Sequence, residues 1–160
     1  MKLWKILLTG LFLLSIVGCG VTTPKYQIIR PIDNPKAAPD FTLTDQRGQP
    51  FHLRDQQGKV VVLFFGFTSC PDVCPTALGV MMGTKRAMGD AAQNMVVAFV
   101  TVDPERDTPK QLGRYMDIFD SSFYGLSGDP ETLATIRKEY GVYASRVELP
   151  DSALGYTMDH

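Results

Sequence analysis

Two apolar stretches, Val60 to Phe65 and Met95 to Val102, the second broken only by Thr101, constrain this chain more than any other feature in it. Short runs rich in β-branched and aromatic residues read as strands, and runs with no polar alternation read as strands buried on both faces. The first, Val-Val-Val-Leu-Phe-Phe, is expected to be a central strand. Between the two, from Pro75 to roughly Met88, Leu78, Met81, Met82 and Met88 recur near helical spacing. Two such strands joined by a helix make a βαβ unit and hence a parallel pair.

The flanking segments extend the same plan. Phe41 and Leu43 alternate with Thr42 and Thr44, Gln46 to Gln49 makes a turn, and Phe51 and Leu53 resume the alternation, which predicts a hairpin. Thr108-Pro109 with Gln111 fits a capping box with proline at the first helical position. Asp129-Pro130-Glu131 repeats that logic, and Gly141 is placed to close the helix through a left-handed residue. Phe123 to Leu126 offers at most one short strand. The order of hairpin, strand, helix, strand, helix, short strand and helix defines an α/β domain. One domain is what 160 residues allow, and 44% hydrophobic with 21% charged residues exclude a disordered or coiled-coil chain. A net charge of -1 argues against nucleic acid as a partner.

Residues 1–18 lie outside this plan. Lys2 and Lys5 precede the apolar run Ile6 to Val17, with no acidic residue, as in a secretory signal. That run is too short for the ~20 residues that span a bilayer. It ends Ile16-Val17-Gly18-Cys19, which resembles a lipobox, so 1–18 is expected to be a lipoprotein signal peptide and Cys19 the lipidated residue. Residues 19–38 carry Pro24, Pro31 and Pro35 without apolar periodicity and read as a lipid-anchored tether. Residues 39–160 are the expected folded domain. The expected location is the bacterial cell envelope, membrane-anchored on the periplasmic or extracytoplasmic side.

The chemistry concentrates where the first apolar strand ends, in Phe67-Thr68-Ser69-Cys70-Pro71-Asp72-Val73-Cys74-Pro75. Open parallel sheets bind ligands outside the carboxyl ends of their strands. If Pro75 is the first helical residue, Cys74 is the cap, and the helix N-terminus should favour its thiolate.

Together with Thr101-Val-Asp-Pro-Glu-Arg-Asp-Thr-Pro109 and the terminal Tyr156-Thr-Met-Asp-His160, this loop resembles the SCO/SenC family of thioredoxin-like copper chaperones for cytochrome c oxidase assembly. The resemblance runs from about Ala38 to the last residue. It implies a thioredoxin-like fold, one copper ion as Cu(I) or Cu(II), and Cys70, Cys74 and His160 as its ligands. It also implies the copper-receiving subunit of cytochrome c oxidase as partner, and a strand ending in His160 beside the thiol loop. Two thiolates and an imidazole suit copper, and zinc would accept the same donors. A thioredoxin-like domain continues past this histidine with the other half of a hairpin and a helix, roughly 25–35 further residues, so residues 39–160 are expected to be C-terminally incomplete.

Plainer readings stand beside these. Two extracytoplasmic cysteines often form a disulfide in a structural lipoprotein. The same pair can serve as the redox-active cysteines of a thiol-disulfide oxidoreductase that reduces the copper-receiving protein, although thioredoxin-type enzymes usually separate theirs by two residues. A metallochaperone, with no turnover, ranks first. His52 reads as an exposed strand residue, Met81, Met82 and Met88 as core filler, Met158 as a residue on the strand face of His160, and Arg106 with Asp107 as a local charge pair.

Overall fold

The structure is a computed structural model and describes residues 33–160. The leader, Cys19 and most of the tether lie outside the described residues. The compact unit Ala37–His160 contains β1 (Thr42–Asp45), β2 (Pro50–His52), β3 (Val60–Gly66), α1 (Val73–Ala87), β4 (Met95–Thr101), α2 (Pro109–Phe119), β5 (Tyr124–Ser127), α3 (Pro130–Glu139), β6 (Ser145–Leu149) and β7 (Gly155–Asp159). Five strands form one sheet in the order β2-β1-β5-β4-β3, and β6 and β7 form a separate antiparallel pair.

The expected βαβ unit is present, with β3 and β4 parallel from Val60 opposite Met95 to Gly66 opposite Thr101. Because successive strand residues face opposite sides, β4 feeds two cores and is buried along its whole length. Val96, Ala98 and Val100 pack with Leu133 and Ile136 of α3. Val97 and Phe99 pack with Leu78 of α1 and Leu112 and Met116 of α2. The result is three layers, with α3 on one face and α1 and α2 on the other.

The local signals at the element ends hold. Thr108 Oγ1 accepts the Gln111 N–H at 3.2 Å and Asp129 Oδ1 accepts that of Thr132 at 2.9 Å, each with proline opening the helix. Gly141 takes φ 68°, and the Val142 N–H returns to the Arg137 carbonyl at 2.8 Å. In the β1–β2 turn, Asp45 Oδ1 accepts from the backbones of Arg47 and Gln49, both at 2.8 Å.

Two strands depart from the sequence reading. β3 is not enclosed: it ends the sheet, with β4 as its partner among the described residues, and Val60 is 64% exposed. An apolar run reports the two faces that a strand covers. Ladder bonds are made by the main chain and leave no trace in side-chain identity. β6 is new, because Arg146, Val147 and Glu148 are all exposed and carry no periodic apolar signal.

Candidate metal centre

The loop from Phe67 to Asp72 joins β3 to α1 at the carboxyl edge of the sheet. Contrary to the cap reading, α1 starts at Val73 with Asp72 as its N-cap, so Cys74 is its second residue and Pro75 its third. Proline is still tolerated there, since first-turn N–H groups have no intrahelical partner. Cys74 therefore turns inward with Leu78, one helical turn on, and is fully buried. Cys70 remains in the loop, half-buried, and both are free thiols.

The two sulfurs ionise differently. At Cys70, burial pushes the pKa up, but backbone N–H groups of Cys74, Asp72 and Val73 outweigh it and hold the thiol below its ordinary value. The Cys74 N–H is 3.4 Å from Cys70 Sγ. The helix N-terminus thus favours a thiolate, as expected, but on Cys70. Burial pushes Cys74 up to about 12, with Cys70 and the Asp107 carboxylate adding to the rise and the Phe67 backbone opposing it.

Gly66 makes that burial possible. A Cβ at this position would lie 2.8 Å from Cys74 Sγ and 2.9 Å from Cε2 of Phe99. Only a residue without a side chain lets the sulfur rest on the end of β3. A glycine directly after an all-apolar strand run was a readable signal of close approach.

The turn after β4 holds the loop from the other side. Asp107, fully buried, accepts the Thr68 hydroxyl at 2.6 Å, the Thr68 N–H at 3.1 Å and the Thr101 hydroxyl at 2.7 Å. Burial raises the Asp107 pKa while these bonds oppose the rise. The expected Arg106–Asp107 pair does not form. Arg106 pairs with Asp103 instead, because Asp107 points inward to the thiol loop.

His160 follows β7 and is exposed, its ring edge-on to Phe67 with centroids 5.5 Å apart. The histidine and the thiol loop thus share one end of the sheet. Among the described residues, no three His, Cys, Asp or Glu side chains are close enough together to hold a metal ion. Cys70 and Cys74 are adjacent, and His160 stands off them against Phe67. Met158 lines a cavity of about 170 Å³ with Asp103, Arg146 and Tyr156, on the hairpin side. Met81, Met82 and Met88 pack against the core that includes Cys74. His52 is half-buried and hydrogen-bonds Thr42 Oγ1 through Nδ1 at 2.8 Å. Sequence reasoning missed the gripping roles of Asp107 and Tyr156, whose partners lie 39 and 53 residues away.

A mixed sheet flanked by helices, parallel from β3 through β4 to β5 and antiparallel at β1 and β2, with a thiol pair where β3 meets α1, is the architecture of a thioredoxin-like protein. The solved structure of Bradyrhizobium japonicum ScoI with copper bound superposes with a TM-score of 0.72 at 44% identity, covering 78% of each chain. Arabidopsis thaliana ScoI with copper bound gives 0.69 at 34% identity, over 77% of this chain and 76% of that one. An SCO2-like protein of Rickettsia felis is 36% identical over 80% of this chain. The chain spans 62% of that relative's length. The SCO1/SenC family model matches residues 30–160, and the chain belongs to that family.

Proposed function

We propose that this chain is a copper metallochaperone that holds one copper ion through Cys70, Cys74 and His160 and delivers it to the copper centre of cytochrome c oxidase during assembly. The observation that carries the reading is the thiol pair at the start of α1, in a chain similar to copper-bound relatives. Soft thiolates favour Cu(I), and an added imidazole suits Cu(II) as well. Loading copper displaces the proton that burial keeps on Cys74, so uptake releases protons. His160, edge-on to Phe67 at the start of the thiol loop, is the third donor in this reading.

The deciding experiment measures binding of both oxidation states, alongside disulfide-reductase activity, in the parent and in Cys70→Ser, Cys74→Ser and His160→Ala. Loss of either thiolate weakens Cu(I) strongly, while loss of His160 affects Cu(II) more. A parent that binds no copper but turns over disulfides briskly, indifferent to His160, overturns the chaperone reading in favour of a thiol oxidoreductase. That second reading has its own support in an acidified, partly exposed Cys70 beside a buried Cys74. We also propose that residues 1–18 are a signal peptide, that Cys19 carries lipid, and that residues 19–38 tether the domain to an envelope membrane. Cys19→Ser then releases the protein or leaves its leader uncleaved, and an intact mass without added lipid removes the anchor.

A further inference from the structure

Arg106 has more attachments than an ion pair with Asp103 requires. Its Nε donates to Asp103 Oδ2 and its Nη1 to the Tyr156 carbonyl at 2.9 Å. Its guanidinium carbon lies 3.7 Å from the centroid of the Tyr156 ring and 6.0 Å from that of Phe67. Tyr156 is locked in turn, its hydroxyl donating to Asp103 Oδ1 at 2.8 Å and Arg146 stacked on its ring, also at 3.7 Å. Arg106 Nη2 is buried without a partner among the described residues. Burying an unpaired donor is costly, and here the plane of the group is set by its other contacts.

Those contacts join three segments. Asp103 belongs to the turn after β4, Tyr156 belongs to the strand that leads into His160, and Phe67 is both the ring against which His160 rests and the start of the thiol loop. The same turn grips that loop a second time, through Asp107 and Thr68. A lysine could supply the charge, but neither the flat stacking surface nor two directed bonds.

From this geometry we infer that Arg106 is the positioning residue of the histidine arm: it donates nothing to a metal, and it fixes where His160 stands by tying β7 to Asp103 and to Phe67. For copper, the inference rests on the function proposed above. For the arm itself it does not.

The test reads the arm directly. The chain has two histidines, so proton spectra of the full chain in detergent give two imidazole sets, and His52, bonded to Thr42, serves as internal control. The parent's His160 signals are displaced by the Phe67 ring. In Arg106→Lys and Arg106→Ala they move to the unstructured position while those of His52 stay. Unmoved His160 signals in both variants overturn the inference. So does joint loss of both sets in Arg106→Lys, because that would mark a fold-wide role instead. With copper, the variants lose the nitrogen coupling in the Cu(II) resonance spectrum and about 10–100-fold in Cu(II) affinity, as for other groups that orient a ligand. One Cu(I) per chain is retained. A parent that binds no copper sinks the proposed function, while the imidazole spectra still decide the role of Arg106.

Discussion

Cys70 and Cys74 are held a few ångströms apart in opposite protonation environments, and that contrast can be read by alkylation. Iodoacetamide at neutral pH should label Cys70 and leave Cys74 untouched, as peptide mapping by mass would show. Equal labelling of both would contradict the burial of Cys74. In Gly66→Ala the new methyl meets Cys74 Sγ and Phe99. Overpacking of this kind costs about 1–3 kcal/mol, and Cys74 should become labelled. The raised pKa of Cys74 also has a sign in stability. The folded state keeps the thiol protonated where the unfolded chain has begun to ionise, so its contribution is complete below the ordinary thiol value of 9.0 and is lost as pH rises toward about 12. An alkaline series of urea melts should fall across that window, and fall less steeply in Cys74→Ala.

Helix starts were legible because a cap is a local device: Thr108 and Asp129 bond within their own first turns. Thr108→Ala should therefore cost about 1 kcal/mol in a urea melt with an unchanged slope. A loss near zero would mean that Pro109 alone sets the start of α2. The start of α1 was misread by two residues, and two residues rotate a side chain by about 200° around a helix axis. That rotation separates a cap sulfur facing the loop from a buried one, and it transferred the favoured thiolate from Cys74 to Cys70. β6 was not legible at all, since it is held by the main-chain ladder to β7 and by exposed side chains.

Across the whole molecule, the class of fold was written in two apolar runs, whereas the sheet's ends were not. β3 presents an edge without a ladder partner among the described residues, and Val60 stands on it in solvent. Unpaired, β-prone edges associate with their like. Light scattering from this chain should rise with concentration, and Val60→Lys, which disturbs no buried contact, should suppress the rise. Identical scattering in parent and variant would place the association elsewhere. The candidate site was legible where its residues are contiguous, in the thiol loop. The grip of Asp107 on Thr68 and of Arg106 on Tyr156 spans 39 and 50 residues of chain, and no local pattern encodes a partner at such a distance.

The contact between Gly66 and Cys74 also decides which sulfur can accept oxygen. A thiolate attacks peroxide, forming an S–O bond as the O–O bond breaks, which leaves a sulfenic acid on sulfur and releases hydroxide. Cys74 is fully buried and crowded by Gly66 and Phe99, while Cys70 is the accessible and more acidic partner. Oxygen therefore adds to Cys70 first. The sulfenic acid then lies beside Cys74, and condensation of the two to a disulfide releases water. A glycine beneath one sulfur thus directs the oxidant to the other.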